Sequence, residues 1–300
     1  MACALKRAIE RNAQLKMKER AGWTQSSLPN ERAAFQALDA RTAPQVGMLM
    51  APYYPCLFTL TKEPSVTVRH DGGKVLCGVA ELASRPGCSV VSLGSNWDRS
   101  FEDGVDALAG PGRCSVDIFD PTMNGTTAGG AGSQRLQRWV ARLPPNYRFH
   151  DVGVHGGGAG AAAARRQFRR KATTTLPALL TGLGRASVDV LKFDIEGFEY
   201  ELLEATDWTA VKAGLLVFEL HINLFVERRG VQGYTWPRLE RHLARIEAAG
   251  YRLYSLEPVA AHVWSRVFNG QGQAELAFIH RDWEPSTGRF DGGGCRVASS

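Results

Sequence analysis

Segment 188–204 carries the side chains with the clearest potential for chemistry. An apolar run that is typical of a buried strand contains Lys192 and Asp194 and ends at Glu196, and a helical pattern begins after Gly197. Ligands of open α/β sheets bind at the carboxyl ends of the strands, so carboxylates at this point predict a site. A structural Lys192–Asp194 ion pair is the alternative, because residues two apart share one face of a strand and a buried lysine needs a partner.

Strand-like apolar runs alternate with helical patterns through the rest of the chain. The predicted strands are 89–93, 114–119, 147–154, 188–195, 214–221, 251–256 and 274–280. The predicted helices cover about 99–109, 134–142, 176–183, 197–204 and 235–248. The last two strands have no helix between them and can be antiparallel, whereas parallel neighbours need a crossover. The pattern predicts an α/β fold with a mostly parallel sheet and helices on both faces.

Three regions are predicted along the chain. Residues 1–45 form a helical N-terminal extension, with a basic amphipathic helix near 4–20 and a second helix over 31–40. Residues 46–285 form the main domain, and 286–300 a flexible tail. The amphipathic helix is compatible with a plain surface helix, a transit peptide or a membrane-surface helix.

Composition narrows the class of protein. Apolar residues make up 44% and charged residues 22%, which indicates a globular core rather than wholesale disorder. Lys and Arg exceed Asp and Glu by 36 − 30 = 6, but no basic stripe interleaved with aromatics is present, so nucleic-acid binding is not expected. There is neither a signal-peptide pattern nor an apolar run approaching the ~20 residues of a membrane span. A cytoplasmic protein is therefore the default expectation.

The six cysteines form no C-x-x-C pair, so a zinc knuckle is not indicated. Cys88 and Cys114 each open an apolar run and are interpreted as small buried hydrophobic residues. A Cys56–Cys77 bridge is possible, and the even number of cysteines does not decide the disulfide state.

Polar groups also follow the first three strands of the main domain. Gly94 permits a tight turn and a close approach of the backbone to a ligand, although an ordinary turn would look the same. Asp120 comes 26 residues later, near the spacing at which an acid binds ribose hydroxyls in nucleotide-binding folds. Asp151 could face an adenine amine or could be a turn aspartate. The G-x-G-x-x-G fingerprint is absent, which favours S-adenosylmethionine over NAD.

Several motifs resemble those of FkbM-like methyltransferases and the related methyltransferase-like proteins. Residues 189–199 match the pattern D-x-L-K-x-D-x-E-G-x-E, which is the most specific of them. Shorter matches are D-G-G-K-x-x-C at 71–77, a cofactor motif with S-F-E at 88–102, F-D-P at 119–121 and E-L-H at 219–221. The resemblance covers about 50–282. The two glycine-rich stretches within 122–170 depart from the pattern.

The resemblance implies a Rossmann-like, seven-stranded S-adenosylmethionine-dependent methyltransferase. O-methyl transfer to a small-molecule or glycan acceptor is the expected reaction. The cofactor-binding residues it implies are Ser92, Gly94, Ser95, Asn96, Asp120 and Asp151. The residues it implies on the acceptor side are Asp194, Glu196, Glu199 and His221 as catalytic groups, with Glu219 beside them.

Alternatives remain at this site. His221 is the best general base by its ordinary pKa, or it is a strand-end histidine with its hydrogen bonds satisfied. Asp194 with Glu219 or His221 could bind a divalent metal such as Mg²⁺, but a metal is not favoured and none is assigned. The other interpretations of the chain are an NAD-dependent oxidoreductase and a non-catalytic binding module. Oligomeric state and acceptor cannot be predicted.

Overall fold

The computed structural model of the protein describes residues 2–27, 51–63, 73–123, 131–157, 171–223, 236–258 and 271–291. Thirteen strands lie within these ranges: β1 Leu60–Glu63, β2 Lys74–Cys77, β3 Cys88–Leu93, β4 Cys114–Phe119, β5 Tyr147–His150, β6 Val152–Val154, β7 Ala172–Thr174, β8 Val188–Phe193, β9 Ala213–Asn223, β10 Tyr251–Pro258, β11 Gln271–His280, β12 Trp283–Glu284 and β13 Arg289–Phe290. The helices are α1 Ala2–Ser27, α2 Ser100–Ala109, α3 Ala131–Val140, α4 Leu176–Gly182, α5 Glu199–Ala205 and α6 Trp236–Ala248, with a 3₁₀ turn at Ala80–Ser84.

A seven-stranded sheet in the order β10-β11-β9-β8-β3-β4-β5 forms the centre of the protein. Strand β11 is antiparallel to both of its neighbours, and the other pairs are parallel. Strands β3 and β8 lie in the middle and are buried along their whole length, which explains their continuous apolar sequences. One hydrophobic layer packs on α4, α5 and α6 and the other on α2, so both faces of the sheet are covered. The predicted α/β fold is confirmed.

The third predicted strand, 147–154, is divided in the structure. Its first part, β5, pairs with β4 in the central sheet, whereas β6 leaves that sheet and pairs with β7. Asp151 lies at the break between the two parts. Part of the predicted tail forms the β12–β13 hairpin. The predicted helix at 31–40 and most of the two glycine-rich stretches lie outside the described residues.

Helix α1 is joined to the domain by buried ion pairs. Arg20 pairs with Glu240 and Glu247 of α6, and Glu10 pairs with Arg252 of β10. These pairs explain why charged side chains on a basic helix are buried, since buried charges need partners. Among the described residues, no helix is long and apolar enough to cross a membrane.

Two disulfides, Cys56–Cys77 and Cys88–Cys114, lie within the described part of the chain. Cys88 and Cys114 are buried in the hydrophobic core, as predicted, but they are joined in a disulfide rather than packed as separate side chains. They occupy paired positions at the start of β3 and β4, which brings their sulfur atoms together. Disulfides persist in oxidising compartments and are rare in the cytosol, so these bonds favour an oxidising compartment over the cytoplasmic default. The compartment stays a prediction.

Removal of the Cys56–Cys77 bond is expected to destabilise the protein. The two residues are separated by 21 positions, and closing a loop of this size stabilises the native state by about 3 kcal/mol. The double variant Cys56→Ser/Cys77→Ser should lose that much free energy of unfolding in denaturant titrations under non-reducing conditions. An unchanged midpoint would contradict the bond.

Candidate active site

Two loops meet at the carboxyl edge of the sheet, after β3 and after β8. Gly94 has φ +82°, and a Cβ atom placed on it would lie 1.8 Å from the carbonyl oxygen of Asp194. The amide of Gly94 donates to Phe119 (2.8 Å), and the amide of Asp194 donates to Leu93 (2.9 Å). Because no larger residue fits at position 94, glycine allows the two loops to touch.

The loop after β3 has an unusual backbone that Asp120 holds in place. Asn96 and Trp97 have positive φ values of 45° and 71°. The buried Asp120 carboxylate accepts hydrogen bonds from the amides of Ser95 (3.0 Å) and Asn96 (2.8 Å), and from the amide and hydroxyl of Thr122. Its acceptor positions are thus filled by the chain. A ribose contact would need one of them to be released, and this role of Asp120 stays a prediction.

The other predicted cofactor residues lie around this loop. Asn96 is exposed beside it. Ser92 is fully buried and donates its hydroxyl hydrogen to Glu102 of α2, so its side chain turns away from the loop. Asp151, at the end of β5, forms an ion pair with Lys171. The structure therefore places Asn96 and Asp151 along the same sheet edge and Ser92 beneath it.

The predicted acceptor-side residues form one cluster. Asp194 follows β8, and Glu219 and His221 lie two residues apart on the neighbouring strand β9, so they share one face. The His221 Nε2 atom is 4.0 Å from Asp194 Oδ1, 3.8 Å from Glu219 Oε1 and 3.7 Å from Glu196 Oε2. Glu196 has a positive φ of 56° and a side chain that is 71% exposed, so it stands at the rim of the cluster.

Glu199 contacts both the His221 ring and the 195–197 loop. Its buried carboxylate accepts hydrogen bonds from the amides of Ile195 and Gly197, each at 2.8 Å. It also lies 3.2 Å from His221 Nδ1. A carboxylate can only accept, so the hydrogen of the imidazole ring lies on Nδ1 and Nε2 faces the acidic residues. Glu199 is thus a positioning residue.

The cluster changes the protonation of His221. Burial lowers the pKa of the ring, but the Glu199 carboxylate and then Glu219 outweigh that effect and raise it to about 10. The ring is therefore protonated near neutral pH. A ring that is protonated at neutral pH is a poor general base, and the role of His221 as one stays a prediction.

The pKa values of Asp194 and Glu219 shift in opposite directions. Burial, followed by the nearby Asp194 and Glu275 carboxylates, raises the pKa of Glu219 to about 9. Burial also acts to raise the pKa of Asp194, but Lys74 and Lys192 hold it below its ordinary value. At neutral pH the cluster therefore holds Asp194 as a carboxylate and Glu219 as a neutral acid.

Lys74 and Glu275 belong to the site although the sequence assigned neither a role in it. Lys74 Nζ is 2.7 Å from Glu275 and 3.6 Å from Asp194 Oδ2, and Glu275 is paired with Glu219 across β11 and β9. Lys192 instead donates a hydrogen bond to the carbonyl oxygen of Gly94. The hydrogen-bonded partner of Lys192 is therefore Gly94 rather than the predicted Asp194. The sequence signal that could have pointed to Glu275 is the presence of a glutamate within the apolar run 274–280.

Replacing Lys74 by methionine is expected to be strongly destabilising. It leaves Glu275 and Asp194 buried beside each other without their cation, and breaking a buried pair in this way costs about 3–5 kcal/mol. Lys62→Met is a matched control, because the Lys62–Glu257 pair is exposed and such pairs contribute at most about 1 kcal/mol. Equal losses of unfolding free energy in the two variants would argue against a buried charge network.

One residue of the 189–199 pattern, Asp189, lies away from the site. Asp189 lies at the opposite end of β8, where it accepts a hydrogen bond from the Ser89 amide (2.8 Å) and pairs with Arg85. It therefore connects the starts of β3 and β8.

The solved structures that are similar to this chain superpose on it with low TM-scores. The fibrillarin pre-rRNA processing protein of Methanococcus jannaschii is 12% identical, with 74% of this chain and 88% of that chain covered and a TM-score of 0.38. The N-methyltransferase NodS of Bradyrhizobium japonicum WM9 is 11% identical, with coverages of 67% and 90% and a TM-score of 0.36. The strand order of the central sheet, rather than these overlaps, defines the fold.

Sequence comparison identifies the family. The Rattus norvegicus protein named "Probable methyltransferase-like protein 24" is 26% identical over 213 residues, and this chain spans about half of its length (54%). The model of the methyltransferase FkbM domain matches residues 78–253, which include the loops after β3 and β8 and the acidic cluster. The chain therefore belongs to the FkbM methyltransferase domain family.

Proposed function

We propose that the protein is an S-adenosylmethionine-dependent methyltransferase that transfers the methyl group to a hydroxyl oxygen of a small-molecule or glycan acceptor. The observation that carries the proposal is the position of the acidic cluster, which lies against the Gly94 loop at the carboxyl edge of the sheet. Carboxylates accept hydrogen bonds from hydroxyl groups, so this arrangement suits a hydroxyl-rich acceptor.

We propose that the cofactor lies along the ends of β3, β4 and β5. Gly94, Ser95 and Asn96 would hold its methionine end, and Asp120 and Asp151 would lie toward ribose and adenine. The order of the strands supports this proposal, because β3, β4 and β5 are neighbours and their ends form one edge. When bound, S-adenosylmethionine supplies an activated methyl group on a sulfonium centre.

On the acceptor side, we propose a division of tasks within the cluster. Asp194, an anion with a lowered pKa, accepts a hydrogen bond from the acceptor hydroxyl and orients it. Glu196 at the exposed rim takes up the proton that the hydroxyl loses. Glu199 keeps His221 and the 195–197 loop in position.

The chemical stability of the product tests the proposed acceptor class. Purified enzyme is incubated with methyl-labelled S-adenosylmethionine and panels of hydroxyl, carboxyl and amine compounds. We expect label in hydroxyl compounds, in a methyl ether that survives mild alkali. Label released as methanol by alkali would indicate a carboxyl ester, and label on nitrogen an amine, and either result as the main product would overturn the proposal.

A further inference from the structure

The Nε2 atom of the buried His221 ring points into a group of carboxyl oxygens. Its Nδ1 hydrogen is directed to Glu199, so Nε2 faces the oxygens of Asp194, Glu219 and Glu196. The side chain is buried, and within the described part of the chain Nε2 makes no hydrogen bond. A buried nitrogen that faces several carboxyl oxygens without a hydrogen bond is an arrangement that a bound cation would complete.

Direct hydrogen bonds do not account for this arrangement. The three oxygens are 3.7–4.0 Å from Nε2, whereas N–H···O hydrogen bonds in proteins are about 2.7–3.2 Å long. These distances leave room for an ion between Nε2 and the oxygens.

A metal ion fits the same distances. Two donor atoms about 2.1–2.2 Å from one ion lie about 3 Å apart when adjacent and about 4.3 Å apart when opposite. The ligand atoms of Asp194, Glu219 and His221 all lie within 4.8 Å of one another, so small side-chain rotations bring them around one ion. We propose that Asp194, Glu219 and His221 bind a divalent transition-metal ion at this point.

The surrounding contacts support this assignment. Metal-ligating histidines donate their second ring N–H to a carboxylate, and Glu199 is that carboxylate here. Lys74 does not block the ion, because it lies toward Asp194 Oδ2 and Glu275, whereas Asp194 Oδ1 faces His221. One imidazole nitrogen and two carboxylate oxygens suit an ion such as Mn²⁺, which accepts both ligand types. An ion at this position would also be able to bind an oxygen atom of the acceptor. This role of the ion rests on the proposed function, whereas the binding of the ion to the protein does not.

The test is a titration of metal-free protein with Mn²⁺, followed by electron paramagnetic resonance and without cofactor or acceptor. We expect one bound ion per chain, with a pulsed spectrum that shows coupling to an imidazole nitrogen. Asp194→Asn and Glu219→Gln should each weaken binding by more than about tenfold, and Glu199→Gln by about tenfold or more. His221→Ala should remove the nitrogen coupling. His150→Ala, at the end of β5, and Glu204→Gln, on the exposed side of α5, should bind like the parent.

Three results would overturn the site. These are no bound Mn²⁺ at millimolar concentration, a bound ion without nitrogen coupling in the parent, or parent-like affinity in both carboxylate variants. The nitrogen coupling is measured in the parent and so does not depend on any variant folding. Because the titration contains no cofactor, its outcome is independent of whether methyl transfer to hydroxyl groups is observed.

Discussion

Gly94→Ala is expected to destabilise the protein by more than about 3 kcal/mol, since backbone strain alone at such positions costs about 1–3 kcal/mol. The new Cβ would lie 1.8 Å from the carbonyl oxygen of Asp194, and that atom belongs to the backbone and cannot rotate away. The β3 and β8 loops would have to separate. Denaturant unfolding measures the loss directly.

The matched control for this change is Gly87→Ala. Gly87 also has a positive φ, +72°, but no atom lies within 4 Å of the place that its new Cβ would occupy, so the control retains the strain and removes the clash. Its expected loss is about 1–2 kcal/mol. Equal losses in the two variants would show that contact between the loops is unimportant. Titration calorimetry with S-adenosylmethionine should also show binding weakened more than about tenfold, or 1.4 kcal/mol, by Gly94→Ala alone.

Asp194→Asn should lower kcat by about 10²-fold, the loss typical when a reacting group is no longer held in the right position. The substitution keeps the shape of the side chain but removes the charge next to His221 and Lys74. Because the residue lies on the acceptor side, binding of S-adenosylmethionine should change little. Single-turnover methyl transfer and calorimetry on the same preparation separate the two effects.

Asp207→Asn serves as the control for Asp194→Asn. Asp207 is exposed in the turn after α5, where its carboxylate accepts hydrogen bonds from Thr209. This variant should retain parent activity. If Asp194→Asn retained activity within a few-fold of the parent, Asp194 would have no direct part in the reaction.

Much of the fold could be predicted from the sequence, because the middle strands of a parallel sheet are buried on both faces. Strands β3 and β8 are therefore continuous apolar runs that stand out without further information. The sequence between the last two predicted strands has no helical pattern, which predicted their antiparallel pairing, since only antiparallel neighbours can be joined without a crossover. The break at Asp151 could not be predicted, because the local sequence pattern continues through it. Only the pairing changes there, since β6 pairs with β7 instead of with a strand of the central sheet.

The sequence by itself placed carboxylates at the end of β8 and a histidine on β9, since residues that follow a buried strand must emerge at its edge. Only the tertiary structure decided what each of them contacts. Lys74 and Glu275 come from distant parts of the chain and join the site through the neighbouring strands. Pairing of β3 with β4 also set the Cys88–Cys114 bond. Likewise, the raised pKa of His221 depends on charges that meet only when β8 and β9 lie side by side.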